Sequence, residues 1–145
     1  MRFSTIFGVF LFLISFSSWS QETCKCSLLN IENEISTLNK RDSLAVFRLV
    51  NTLKKATDFG CKLQGISIEL EYYCIQKEYK KAVSLITFLE NLEKKNSCNS
   101  EFGYFLFFNK AIYYRAINNY EKLSEFAFKS LKEAEYLKDQ IKVIE

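Results

Sequence analysis

Residues 118–139, NNYEKLSEFAFKSLKEAEYLKD, look polar at first sight, yet they hide a regular pattern. A Tyr at the opening is followed by apolar or small residues at Leu123, Phe126, Ala127, Ser130, Leu131 and Ala134. Steps of three and four along the chain describe one stripe of an α-helix. The same opening occurs earlier in the chain. Residues 70–83 read LEYYCIQKEYKKAV and residues 111–124 read AIYYRAINNYEKLS. Aligning Tyr79 with Tyr120, an offset of 41 residues, also aligns Tyr73 with Tyr114 and Ala82 with Leu123. An internal period of that length points to stacked supersecondary units. In such a unit, a Tyr at the mouth of the second helix plugs the gap at the turn. Small residues further along admit the next unit.

Working outward, the rest of the chain has the same character. It contains no proline, and after the first twenty residues only Gly60, Gly65 and Gly103 remain as glycines. So few turn-makers do not suit a many-stranded sheet protein. Helical periodicity predicts six segments, over about 27–40, 42–58, 63–77, 79–96, 101–117 and 119–138. Ser27, Asp42 and Ser100 are suited to cap helix starts, because their side-chain oxygens can accept unpaired first-turn amides. Gly60 is placed to end a helix in the left-handed conformation. Short connections make neighbours antiparallel, so the expected domain over residues 27–140 is three helical hairpins in a row. Residues 141–145 read as a tail or the start of a capping helix.

The beginning of the chain differs. MRFSTIFGVFLFLISFSSWS has one early basic residue, Arg2, an apolar run from Ile6 to Phe16, and small residues Ser18 and Ser20 before Gln21. This is the layout of a secretory signal peptide over residues 1–20. The alternative, an uncleaved membrane tether, needs an apolar run nearer ~20 residues. Export is therefore expected, to a periplasmic or extracellular space, with residues 21–26 forming a short cysteine-bearing lead-in. Without Arg2 the mature chain has 19 basic against 17 acidic residues, a balance of +2. The charges are interspersed, which argues against a nucleic-acid footprint.

Side-chain chemistry narrows the function. The chain has no histidine, which removes histidine-dependent nucleophile pairs and histidine metal sites. The glutamate pairs Glu32/Glu34, Glu69/Glu71 and Glu133/Glu135 are two residues apart and point to different helix faces. No glycine-rich phosphate loop is present. Neither catalysis nor a cofactor is expected. Five cysteines remain. Cys24, Cys26, Cys61 and Cys98 fall at the same end of alternating helices, whereas Cys74 lies on the apolar stripe of the third segment as a buried thiol. At least one disulfide is expected among the four, either Cys61 with Cys26 (or Cys24) or Cys61 with Cys98. Four thiolates on one zinc would have the ligand count but only one close pair, spaced C-x-C.

The stretch NYEKLSEFAFKSLKEAE (119–135) resembles the second-helix pattern of the tetratricopeptide repeat family, with Tyr120 at the turn and Ser130 and Ala134 at its small-residue sites. Residues 78–94 resemble it less closely, and residues 42–60 little. The usual proline after the second helix is missing, Leu123 stands where the family prefers Ala, and the repeat exceeds the family's length of about 34 residues. The resemblance implies an all-α, short right-handed solenoid and a concave surface built from first helices. Aligned positions on that surface are Phe105, Phe108, Ile112 and Arg115, although segment 101–117 is apolar round most of its circumference and the same rings would equally serve a core. Tyr73, Tyr79, Ala82, Tyr114, Tyr120, Ser130 and Ala134 would define the repeat. The implied function is capture of a protein or peptide, with a structural subunit or a truncated sensor arm of a larger regulator as alternatives. Exported repeat proteins of Bacteroidetes envelopes have a similar look.

Overall fold

The computed structural model describes residues 26–93 and 99–144. Among them the chain is all-helical, with six helices and no strand. In order these are α1 (Ile31–Thr37), α2 (Ser43–Lys55), α3 (Phe59–Ile75), α4 (Tyr79–Glu93), α5 (Asn99–Ala116) and α6 (Tyr120–Ile144). Residues 1–20, where a signal peptide is expected, and Cys24 and Cys98 lie outside the described residues.

Helix α2 shows how a sequence stripe becomes a wall. Asp42 caps it by accepting the Leu44 and Ala45 amides, as expected, and Lys54 and Lys55 sit in its last turn, where they oppose the helix dipole. Val46, Leu49, Val50 and Leu53 form its buried stripe. They close a cluster with Cys61 and Ile68 of α3 and Ile31 of α1. Gly65 lies at the α2–α3 crossing, where a Cβ would stand 3.1 Å from that of Leu53. A side chain there would hold the two helices apart.

Two expected caps take other roles. Gly60 does not end a helix. It lies in the first turn of α3, where Asp58 accepts its amide at 2.7 Å and that of Cys61 at 3.4 Å. The strong cap starts α3 at Phe59, earlier than the apolar pattern alone predicts. Ser27 does not cap α1, which begins only at Ile31; its backbone N–H instead donates to Asp58 Oδ2 at 2.7 Å. The cap position of α1 is Asn30, left-handed with φ 62° and making no side-chain cap. Helix α1 is correspondingly short. Ser100 falls inside α5, which begins one residue before it. At the other end, residues 141–144 continue α6 rather than starting a new element.

Helices α3 and α5 are the inner pair. α3 packs on α2, α4 and α5, and α5 packs on α3, α4 and α6. Leu63, Ile66, Leu89, Phe102 and Leu106 form one cluster among α3, α4 and α5. Leu70, Cys74, Ala82 and Ile86 form another, covered by Ile112, Tyr113 and Ala116 of α5. The α5–α6 contact depends on rings instead. Phe126 stacks on Tyr114 at 5.4 Å and on Phe107 at 6.2 Å, and Lys110 lies over its face.

The 41-residue offset is repeated in backbone geometry. Lys77 (φ 60°) and Asn118 (φ 58°) are both left-handed. The Glu78 amide donates to the Tyr73 carbonyl at 2.9 Å, and the Asn119 amide donates to the Tyr114 carbonyl at 2.9 Å. Lys77 to Cys74 and Asn118 to Arg115 complete the same helix-ending motif in each hairpin.

The side chains at the two turns diverge. Tyr79 is half-buried, and its hydroxyl donates to the carbonyl of Ala116 in α5 at 3.1 Å. Tyr120 is 65% exposed and reaches only Asn118 Oδ1, at 3.4 Å. The expectation that the two rings fill equivalent niches fails for a physical reason. Tyr79 is met by the following hairpin, and no described element follows α6. Tyr73 and Tyr114 each meet the preceding Tyr edge-on, but Tyr73 also meets Phe47 of α2, whereas Tyr114 stacks on Phe126 of α6. Ala82 and Ser130 are buried, as small residues at close contacts should be, and Ala134 is half-buried.

Candidate binding groove

A groove of about 510 Å³ runs over the outer surface of α5, between a wall of α3 and a wall of α6. Phe108, Ala111, Ile112 and Arg115 of α5 make its floor. Gln64, Ser67, Ile68 and Glu71 supply the α3 wall, and Leu123, Ala127 and Ser130 the α6 wall. Ile35 of α1 and Lys40, in the connection after it, close the near end.

Three of the four groove residues expected from the sequence are brought together here. Phe108 is 43% exposed, Arg115 is exposed and Ile112 is half-buried. Phe105 is not part of it. Three residues before Phe108 on the same helix, it packs against the Leu63–Phe102 cluster and belongs to the core. Sequence reasoning missed the walls and one floor residue. Ala111 of the floor and Leu123 and Ala127 of the α6 wall could have been found by carrying the 41-residue offset from Leu70, Ala82 and Ile86. Lys40 and Glu71 left no signal, because their pairing at 2.7 Å joins positions 31 residues apart.

The groove is anchored underneath. Asn109, fully buried, donates from Nδ2 to Ser67 Oγ at 2.8 Å and to the Phe105 carbonyl at 2.8 Å. This ties the α3 wall to the α5 floor. Among the described residues, Asn109 Oδ1 has no hydrogen-bond partner. Glu71 and Lys40 neutralise one another, whereas Arg115 forms no ion pair among the described residues. The floor therefore offers an exposed ring and an uncompensated guanidinium a few residues apart.

The cysteines serve the scaffold. Cys26 and Cys61 form a disulfide across 35 residues, which pins the start of the described chain to the first turn of α3. Asp58 sits beside it. Burial pushes its carboxyl up, but hydrogen bonds from Ser27, Cys61 and Gly60 outweigh this and hold it below the usual carboxylate value. Cys74 is a buried free thiol. Burial and the charge of Glu71 push it up to about 11, against the opposing pull of Arg115. A thiol held that high is a poor nucleophile at neutral pH.

A second hollow, of about 560 Å³, lies among α2, α3 and α4 and is lined mainly by Phe59, Ile66, Leu85, Phe88 and Leu92. Its lining includes Lys54, which pairs with Glu69. Among the described residues no helix is long and apolar enough to cross a membrane.

No family model, curated protein or solved structure matches this chain.

Proposed function

We propose that this chain is an exported, non-catalytic helical-repeat protein, similar in plan to tetratricopeptide repeats, that holds a segment of a protein or peptide in the groove over α5. The observation that carries this reading is the groove floor. A large apolar ring at Phe108 and the cation of Arg115, without an ion pair among the described residues, stand exposed on a floor tied down by Asn109. Aromatic and arginine side chains in a concave setting are the usual anchors of protein recognition. The leader at residues 1–20 and the Cys26–Cys61 disulfide are both what an oxidising compartment would call for.

Selection of a displayed peptide library on the mature chain tests this. Enriched peptides should lose at least ten-fold in affinity on Phe108→Ala and on Arg115→Ala, while melting temperatures stay near that of the parent. Equal binding by parent and variants would refute the groove. A large drop in melting temperature from Phe108→Ala would make that residue core and do the same.

A second reading, a structural subunit that assembles through its last helix, is favoured by one observation. Phe128, Leu131 and Tyr136 of α6 are all exposed. Sedimentation of the mature chain, with and without Phe128→Ser and Leu131→Ser, separates the two. Self-association lost in the variants favours assembly.

A further inference from the structure

We propose that the groove's ligand is an α-helix, seated on α5 and α6 as α5 itself is seated on α3 and α4, with its C-terminal turn at Tyr120 and an acidic side chain opposite Arg115. This deepens the groove reading above and rests on it.

The internal repeat supplies the template. Moving by 41 residues carries Leu70, Cys74, Ala82 and Ile86 onto Ala111, Arg115, Leu123 and Ala127. In the inner hairpin the first four form a buried cluster, closed by Ile112, Tyr113 and Ala116 of α5. In the outer hairpin the corresponding four line the open groove. The groove wall of α5 and α6 is thus the same surface that a helix covers one repeat earlier.

Tyr120 gives the ligand its direction. Its counterpart Tyr79 donates to a last-turn carbonyl of α5, at Ala116. Tyr120 points its hydroxyl only at Asn118, and its ring is bare. A helix ending over Tyr120 would offer the carbonyl that Ala116 offers Tyr79. The carbonyls of a helix's last turn lack partners within the helix and favour such a donor.

The substitutions between the two seams state what the ligand must carry. In the inner seam Glu90 of α4 pairs with Lys110 of α5 at 2.6 Å. The counterpart of Glu90 is Leu131, 53% exposed, so the ligand needs an apolar residue where α5 has Lys110. Cys74 in the inner seam faces Tyr113, which packs on its cluster. Its counterpart is Arg115, unpaired among the described residues, so the ligand needs a carboxylate where α5 has Tyr113. The ligand is then an amphipathic helix with an apolar residue, an acidic residue three further on, and a small residue three beyond that, near its end. A cation placed over the Arg115 guanidinium is disfavoured by the same geometry.

The test uses a fluorescein-labelled peptide of residues 102–117 carrying Lys110→Leu and Tyr113→Glu, with Phe107→Lys and Tyr114→Lys for solubility. Anisotropy is read against the full mature chain. Micromolar binding is expected, and at least ten-fold weaker binding when the peptide also carries Asn109→Pro, which breaks its helix. Arg115→Glu in the protein should cost at least ten-fold, and a peptide with Tyr113→Lys should recover most of that loss. Recovery by charge exchange is something a merely destabilised protein cannot give. The helical proposal is overturned if the Pro-containing peptide binds as well as its parent, if charge exchange recovers nothing, or if the helical peptide does not bind. Should library peptides occupy the groove in those cases, the binding function survives without the helix. If neither class binds, both readings fall.

Discussion

Replacing Cys26 with Ser asks how much of the molecule depends on one covalent tie. The bond to Cys61 closes a loop of 35 residues that contains all of α1 and α2. The loop-entropy relation gives about 3.8 kcal/mol for a closed loop of that length at 25 °C. For a domain of this size, that corresponds to a fall in Tm of roughly 10–20 °C. The reference should be Cys24→Ser with Cys98→Ser, so that Cys61 cannot find another thiol when Cys26→Ser is added. Thermal unfolding followed by circular dichroism gives the shift. Amide hydrogen exchange locates it. Helix α1 has seven residues and no side-chain cap, and a helix that short does not persist alone. Its remaining ties are the Ser27–Asp58 hydrogen bond, Ile31 in the α2–α3 cluster with Ile35 and Leu38 packed against it, and Lys40 on Glu71. Protection over residues 31–37 should therefore fall furthest, and with it the near wall of the groove. A drop in Tm of less than about 3 °C, with unchanged protection of α1, would refute the argument. Packing alone would then hold the first helix in place.

Other outcomes follow from neighbouring features. Asp58→Ala should cost about 1 kcal/mol through the lost cap of α3 alone, and more through Ser27. Because the folded carboxyl titrates below its unfolded value, its contribution is present above about pH 4 and is lost as the pH falls through the folded value. The gap in Tm between parent and Asp58→Ala should therefore narrow between pH 7 and pH 2.5, and a constant gap would contradict it. At Gly103 a Cβ would meet only the side chain of Glu133, at 3.1 Å, which can swing aside. Gly103→Ala should then raise stability by up to about 1 kcal/mol of helix propensity. Gly65→Val, against Leu53 and the Val50 carbonyl, should instead lower Tm sharply, and urea melts of the two variants check the contrast. Tyr79→Phe should cost about 1 kcal/mol by removing the bond to Ala116, whereas Tyr120→Phe should leave the free protein's Tm unchanged. Equal losses from both would deny that the two rings stand in different surroundings.

The helical class, the buried Cys74 and the Asp42 cap were legible in the chain itself, because each is set by residues within one or two turns of one another, and the repeat was legible because it recurs as a pattern at a fixed offset. A stripe of period 3.6, the matched spacing of Tyr73 and Tyr79 with Tyr114 and Tyr120, and the lack of proline do not need a fold to be recognised. The boundaries of α1 and α3 were not legible in this way. Asp58 serves two masters, its own helix and the Ser27 amide 31 residues away, and a local pattern holds no record of the second. The same applies to Phe105 and Phe108, two rings on one helix that the sequence treats alike. Their fates separated only when α3 and α4 covered one side of α5 and left the other open. What the chain alone decided was the period and character of each helix. What tertiary structure alone decided was which equivalent surfaces are covered: Leu70, Cys74, Ala82 and Ile86 are sealed by α5, while Ala111, Arg115, Leu123 and Ala127 line the groove. The reason is physical. Burial depends on a neighbour's presence, and equivalent positions of a repeat are covered only where one arrives.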